Sequence, residues 1–186
     1  MRIPISATGC GIATAATLAL FLAASGPARA DGGGGGGDSD SSTAPTCGRG
    51  QVYDSRTGRC VRADNGVLPD KNFAENAYAL AKAGRYREAL SVLDLMQNPN
   101  TAVALNYRGY ATRKLGRVDE GIGYYLKSVK LDPHYAKVRE YLGEAYLVKG
   151  DMAAAKAQLR AIKGICGTTC EAYEHLAVAI ADPADI

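Results

Sequence analysis

A repeat with a period of about 34 residues constrains what this 186-residue chain can fold into more than any other feature of its sequence. The interval from Gly109 to Gly143 equals the interval from Gly116 to Gly150. Between the two glycines of each copy runs a helix-length segment that contains a tyrosine. Apolar residues from position 71 onward recur at spacings of three and four, which indicates amphipathic helices. Such a period is typical of a stack of helix pairs, since one pair cannot bury its apolar face alone.

An earlier copy of the repeat precedes these two. Gly84 follows a helical segment, as Gly116 and Gly150 do, but its interval to Gly116 is slightly shorter than a full period. The shorter interval predicts a trimmed turn between copies near residues 98–100. All three glycines fall where a first helix should end and a left-handed residue is needed. Pro133 falls where the second helix of the middle copy should stop.

These copies resemble the tetratricopeptide repeat family over about residues 71–163. The clearest matches are Gly109, Gly116, Tyr125 and Asp132–Pro133 in the middle copy, and Leu142–Gly143, Tyr146, Gly150 and Ala155 in the third. Gly121 and Ser128 depart from the family, which prefers alanine at both positions. The resemblance implies an all-α solenoid of αα-hairpins, with about three repeats over residues 71–165.

Residue sizes support the same packing independently of the family. Gly109 and Gly143 are small enough to let two helices approach closely, and Tyr125 and Leu142 would fill the space between helices. Residues 166–181 then form a turn and a capping helix. The capping helix has one apolar stripe at helical spacing, made of Tyr173, Leu176, Ala177 and Ile180. This helix should cover the open end of the stack.

The resemblance also implies a binding surface. In the family the first helices line the concave side of the stack and face the partner. The corresponding residues here are Lys71, Tyr78, Lys82, Asn106, Tyr110, Arg113, Lys137, Glu140 and Glu144. Four of these nine side chains are cationic. They therefore favour a protein or peptide partner that is acidic or ends in a carboxylate.

Residues 1–30 have the pattern of an export signal. Arg2 precedes an uncharged apolar run over residues 12–24, and Ala28–Arg29–Ala30 matches a cleavage site. The run is shorter than the roughly 20 residues that a membrane-spanning helix needs. We therefore expect no integral span after cleavage, and a mature chain that starts at Asp31 in the periplasm or outside the cell. Cleavage lowers the net charge from +3 to +1, far from the balance of a nucleic-acid binder.

Two segments separate this signal from the repeats. Residues 31–46 are rich in glycine and serine and predict a disordered linker. Residues 47–62 contain two short strand-like stretches around a turn, bracketed by Cys47 and Cys60. Removal of Cys10 with the signal leaves an even number of cysteines, as disulfide bonding in an exported chain requires. We interpret residues 47–62 as a separate disulfide-closed hairpin that serves as a spacer.

The other cysteines, Cys166 and Cys170, lie in the turn before the last helix. Their spacing differs from the Cys-x-x-Cys of thioredoxin-like sites, so a structural disulfide is the simpler interpretation. Glu174 and His175 are close in sequence, but four-ligand zinc sites usually show two ligand pairs, and we expect no metal. No nucleophile motif or phosphate-binding glycine loop is present, and we expect neither a cofactor nor an enzyme.

The sequence as a whole predicts a non-enzymatic scaffold that binds a protein or peptide in the cell envelope. Two alternatives remain open. One is a thiol-redox-responsive protein that uses Cys166 and Cys170. The other is a binder of envelope carbohydrate through the arginine-rich hairpin, which holds Arg49, Arg56 and Arg59.

Overall fold

A computed structural model describes residues 45–63 and 68–185. The predicted signal peptide and all but the end of the predicted linker lie outside these residues. Two strands, β1 (Gln51–Asp54) and β2 (Arg59–Arg62), precede seven helices. The helices are α1 (Asp70–Lys82), α2 (Tyr86–Leu93), α3 (Ala102–Lys114), α4 (Val118–Leu131), α5 (Ala136–Val148), α6 (Met152–Cys166) and α7 (Glu171–Ala181), and a short 3-10 turn follows at Pro183–Asp185.

The first six helices form three antiparallel pairs, α1/α2, α3/α4 and α5/α6, as the repeat predicts. Each pair turns at a glycine with positive φ: Gly84 at 76°, Gly116 at 85° and Gly150 at 76°. The amide that follows each glycine donates to a carbonyl near the end of the preceding helix, for example Arg117 N to Thr112 O at 3.2 Å. A residue with a Cβ is strained in this conformation, so the glycines set the turns.

The first repeat is shortened at a different place than expected. α2 has 8 residues where α4 has 14, so the shortening falls within the second helix. The connection from α2 to α3 is longer than that from α4 to α5, and the predicted trimmed turn near residues 98–100 is wrong. Asp70 holds this connection, because its carboxylate accepts hydrogen bonds from the amides of Gln97 and Asn98, both at 2.8 Å.

The core runs along the interior of the stack between first and second helices. Leu93, Tyr125 and Val138 are fully buried in one continuous cluster. A second cluster, around Ile162 and Leu176, joins α5, α6 and α7. Tyr146 packs against both clusters, so the interior continues from one helix pair to the next, as a solenoid needs.

The last helix packs against α5 and α6 as the first helix of a further repeat would. Leu176 is fully buried against Gly143 of α5, where a Cβ atom would come within 2.5 Å of the leucine Cδ2. The predicted stripe is correct at Leu176, but Tyr173, Ala177 and Ile180 are only half-buried, and Ala172 is buried instead. α7 therefore covers the end of the stack, as expected, and also extends its concave side.

The hairpin is part of the stack, and its interpretation as a separate spacer is wrong. β1 and β2 pair antiparallel, with Val52 opposite Val61, and Cys47 is disulfide-bonded to Cys60. Val52 is fully buried in the main core cluster. The Asn76 side chain on α1 accepts from the Tyr53 amide at 2.7 Å and donates to the Tyr53 carbonyl at 3.0 Å. This side chain therefore pairs with β1 as a neighbouring strand would.

Candidate functional site

The concave side of the stack contains a groove of about 500 Å³. The first helices α1, α3 and α5 line it together with α7, while the second helices lie behind them. We refer to this feature as the concave groove, and its lining residues are Tyr78, Lys82, Tyr110, Lys114, Lys137, Glu140, Tyr141, Glu144, Glu171, His175, Val178, Ala179 and Asp182. Residues at equivalent positions of successive repeats lie on the same face of the stack, and for this reason they line one groove.

Tyrosines form the wall of the concave groove. The rings of Tyr110 and Tyr141 lie 5.0 Å apart, and both side chains are buried. Tyr78 is half-buried and stacks on Tyr107, with 4.8 Å between ring centroids. Burial raises the pKa of the Tyr110 and Tyr141 hydroxyls, so both stay neutral and able to donate hydrogen bonds. Such walls offer flat aromatic surface with polar tips.

A buried ion pair joins α3 to α5 beneath this wall. The Arg113 Nη2 lies 2.5 Å from Glu144 Oε2, and the arginine side chain is only 2% exposed. The guanidinium carbon also lies 5.8 Å from the Tyr110 ring centroid. Truncating Glu144 would leave the Arg113 charge buried and without this partner, so the pair holds α3 and α5 together at the groove.

A second charged cluster joins α5 to α7. Lys137 Nζ lies 3.2 Å from Glu140 Oε2 and 2.8 Å from Glu171 Oε1, while His175 Nδ1 lies 3.2 Å from Glu140 Oε1. Burial raises the pKa of Glu140, although the positive charge of Lys137 acts in the opposite direction. The hydrogen bond from Lys137 lowers the pKa of Glu171. This cluster fixes α7 to the stack at the edge of the groove.

The repeat matches a known family at the sequence level. The family model described as tetratricopeptide repeat matches residues 75–136 and 108–167 of the chain, half of its length in total. The chain belongs to the tetratricopeptide repeat family. No curated protein sequence matches it at a significant level.

Solved structures show the same fold as this tetratricopeptide repeat protein. The type III secretion translocator chaperone SycD of Yersinia enterocolitica superposes with a TM-score of 0.53 at 16% identity, over 60% of this chain and 80% of SycD. SycD in complex with a peptide of the translocator YopD superposes with a TM-score of 0.51 at 18% identity, over 63% of this chain and 92% of the other.

Six of the nine residues predicted for the binding surface line the concave groove of this tetratricopeptide repeat protein. They are Tyr78, Lys82, Tyr110, Lys137, Glu140 and Glu144. Lys71 lies instead in a second pocket of about 460 Å³, which is also lined by Glu75 of α1, Met96 of the α2–α3 connection and Val103 of α3.

Asn106 and Arg113 lie inside the stack, away from the groove surface. Asn106 is fully buried, and its amide donates to the Tyr135 hydroxyl at 3.1 Å. Arg113 is engaged with Glu144. Both side chains point toward the neighbouring helices, so in this structure they support the groove rather than offer atoms to a ligand.

Sequence reasoning missed the groove residues of α7 and also Lys114 and Tyr141. Glu171, His175, Val178 and Asp182 belong to a segment that was interpreted only as a cap. A signal was nevertheless present, because Leu176–Ala177 lies one full repeat period after Leu142–Gly143. The period therefore continues into α7, and this tetratricopeptide repeat protein has four first helices in its described part.

The cysteines that the structure describes form two disulfide bonds. Cys166 is disulfide-bonded to Cys170 in the turn between α6 and α7, and their Cα atoms are 6.0 Å apart. Within residues 45–63 and 68–185, no group of three His, Cys, Asp or Glu side chains is arranged to hold a metal ion. The same residues contain no helix with the length and apolar character of a membrane span.

Proposed function

We propose that this chain is a non-enzymatic binding protein that holds a segment of another protein in its concave groove. The observation that carries the proposal is the groove itself, built from equivalent faces of four helices. The tyrosine wall and the charged side chains around it suit a polypeptide, which can present both apolar and polar groups to one groove. Pockets that combine apolar surface with a few placed polar groups are the usual binding sites of proteins.

The arrangement of charges supports a binding role over catalysis. Arg113 pairs with Glu144, and Lys137 pairs with Glu140 and Glu171, so these groups join helices to one another. The shared fold of SycD, which is seen in complex with a peptide of YopD, adds support from a related architecture.

We also propose that this protein works in the periplasm or outside the cell. The support is the export-signal pattern of residues 1–30 together with the pairing of the four remaining cysteines, Cys47 with Cys60 and Cys166 with Cys170. Disulfides persist in oxidising compartments such as these. N-terminal sequencing of the exported protein should find Asp31 as the first residue, and an intact Met1 would overturn the location.

A photo-cross-linking experiment tests the groove directly. Benzoylphenylalanine replaces Val178, which lines the groove and is 69% exposed. The matched control carries the same group at Leu126 on α4, an apolar residue outside the groove that is 48% exposed. Irradiation in cells followed by mass spectrometry should identify one cross-linked protein segment from position 178. Excess unmodified protein should suppress this cross-link.

The identified segment is then synthesised and titrated into the wild-type protein by calorimetry. Saturable binding with one site supports the proposal. Cross-links that are equal at positions 178 and 126, or a synthetic segment that does not bind, would overturn it.

A further inference from the structure

The disulfide between Cys166 and Cys170 joins helix ends of opposite polarity. Cys166 is the last residue of α6, and Cys170 is the N-cap residue of α7. A negative charge is disfavoured beside the carbonyl groups at the C-terminus of a helix and stabilised beside the amides at an N-terminus. If the bond opens, a thiolate is therefore more stable on Cys170 than on Cys166. The two helices thus favour one direction of cleavage.

The exposure of the two cysteines favours the same direction. Cys166 is exposed, whereas Cys170 is half-buried against the cluster around Ile162 and Leu176. Lys163 is exposed one turn before Cys166 on α6, so its charge attracts a thiolate that approaches Cys166. An external thiol should consequently attack Cys166 and leave the negative charge on Cys170.

Two glutamates in the first turn of α7 act against a thiolate on Cys170. The charge of Glu171 is offset, because Lys137 Nζ lies 2.8 Å from its Oε1. Glu174 is exposed, so solvent and salt screen its charge. Among the residues that the structure describes, the Cys170 side chain caps no amide of α7. A thiolate there would therefore gain hydrogen bonds that the disulfide lacks.

The Cys47–Cys60 disulfide is protected by comparison. Cys60 is exposed, but attack there would leave a thiolate on Cys47, which is only 4% exposed. Burial of an uncompensated charge is unfavourable. Arg85 donates to the Cys47 carbonyl, but its guanidinium is already paired with Glu88. The chain thus contains one disulfide suited to thiol exchange and one suited to holding the fold.

We propose that Cys166–Cys170 is a reversible redox site, which a dithiol reductant opens by attack on Cys166, and that opening frees the first turn of α7. A thiolate of the reductant bonds to Cys166 Sγ, the bond between the two cysteine sulfurs breaks, and its electron pair leaves on Cys170, which is then protonated from solvent. The second thiolate of the reductant attacks the reductant's own sulfur in this mixed disulfide and releases Cys166. In total two electrons and two protons pass to the protein, and the reductant leaves as a disulfide.

Opening of the disulfide acts on α7 through the backbone of Cys170. The Cys170 carbonyl accepts hydrogen bonds from the amides of Tyr173 and Glu174, at 2.9 and 3.1 Å. The disulfide holds this carbonyl near α6, whereas buried Ala172 and Leu176 keep the rest of α7 on the stack. Reduction should therefore loosen the first turn without releasing the helix. The redox site does not depend on ligand binding in the concave groove, so its test is separate from the cross-linking test.

A redox titration of the purified, fully oxidised protein tests the site. The protein is equilibrated with mixtures of reduced and oxidised dithiothreitol, and free thiols are trapped with N-ethylmaleimide and mapped by mass spectrometry. Cys166–Cys170 should be half-reduced at a ratio of reduced to oxidised dithiothreitol about tenfold lower than Cys47–Cys60. Circular dichroism at each ratio shows that the helices remain folded. Equal ratios for the two disulfides, or the reverse order, would overturn the proposal.

Trapping with glutathione, a monothiol, identifies the sulfur that is attacked. The glutathione adduct should form on Cys166, and N-ethylmaleimide should label Cys170. Lys163→Gln should slow the reaction about two- to threefold, the scale of one exposed charge. Lys156→Gln, at another exposed position of α6, is the matched control and should leave the rate unchanged. An adduct mainly on Cys170, or equal rates in the two lysine variants, would contradict attack at Cys166.

Hydrogen exchange measures the effect of opening on α7. Reduction of the disulfide, or Cys166→Ala, should speed exchange of the Tyr173 and Glu174 amides about tenfold. The Ala155 amide is the internal control, because it donates to the Asp151 carbonyl at 3.1 Å in the equivalent position of α6. Its exchange should not change. Unchanged exchange at Tyr173 and Glu174 would show that the disulfide does not control the first turn of α7.

Discussion

The ring of Tyr125 occupies the space into which a Cβ atom on Gly109 would project. A Cβ built at Gly109 would lie 2.6 Å from Tyr125 Cε1 and 3.1 Å from the carbonyl oxygen of Gly121. Tyr125 is fully buried and cannot move toward solvent. The close contact between α3 and α4 in the middle repeat therefore depends on glycine at position 109 of α3 and on the large Tyr125 side chain of α4.

We predict that Gly109→Ala destabilises the protein by about 1–3 kcal/mol, the usual cost of overpacking a rigid core. Gly123→Ala is the matched control, because Gly123 lies on α4 and a Cβ there has no atom within 4 Å. Gly123→Ala should stabilise the folded protein by up to about 1 kcal/mol, since alanine forms helix more readily than glycine. Urea unfolding measures both. Equal effects of the two changes would show that helix propensity, and not the contact with Tyr125, decides the result.

The turn at Gly116 yields a second prediction. Its φ of 85° is a conformation that β-branched residues avoid, and nothing lies near the position of its Cβ. Gly116→Val should therefore lower the free energy of unfolding by more than about 1 kcal/mol through backbone strain alone. Gly116→Asn should cost less, because asparagine tolerates the left-handed region. Melting curves of the two variants check the order, and a valine variant as stable as the asparagine variant would contradict it.

The solenoid could be predicted because its determinants are local and recur. Gly84, Gly116 and Gly150 mark turns that only glycine adopts easily, and their spacing shows in the sequence as a period. The close contact of Gly109 with Tyr125 could also be inferred, because a very small residue and a very large one occupy fixed positions in the repeat.

The binding surface was harder to predict, because side-chain direction depends on neighbours that the period does not specify. Asn106 and Arg113 occupy first-helix positions, yet they turn toward α5 and become buried. The role of α7 could have been found from its register with Leu142–Gly143. The docking of the hairpin could not have been predicted in this way. Asn76 contacts main-chain atoms of Tyr53, and every residue type has these atoms, so no pattern in the sequence marks the contact.

Asn76 anchors the hairpin to α1, and we predict that Asn76→Ala releases it. The change removes both hydrogen bonds to Tyr53 and leaves its amide without this partner, while the Tyr53 carbonyl still accepts from Asn72 Nδ2 at 3.3 Å. The cost should be about 1–3 kcal/mol for the unsatisfied amide. Hydrogen exchange should speed up in β1 and β2 while amides in α5 and α6 keep their protection. Asn98→Ala, at an exposed turn position, serves as the control. Unchanged exchange in the hairpin would mean that its other contacts, among them buried Val52 and the hydrogen bonds from Asn72 and Arg85, hold it without Asn76.

Glu140 should make stability depend on pH in a direction that is unusual for a carboxylate. Its side chain is 2% exposed, and burial raises its pKa in the folded protein. Between the ordinary glutamate pKa and this raised value, the folded state binds more protons than the unfolded chain. The contribution of Glu140 to stability is therefore complete below the ordinary pKa and is lost as pH rises through the raised one. The difference in unfolding free energy between wild type and Glu140→Gln should shift in favour of wild type as pH falls from neutral toward about 5.

Glu171 provides the control for this prediction, because the hydrogen bond from Lys137 lowers its pKa. Its contribution is present above the ordinary glutamate pKa and is lost as pH falls through the lowered one. Glu171→Gln should therefore show a shift of opposite sign at more acidic pH. Both changes are made in a His175→Asn background, so that protonation of the imidazole does not contribute. Urea unfolding across this pH range measures both differences, and shifts of the same sign would show that Glu140 ionises as an exposed carboxylate does.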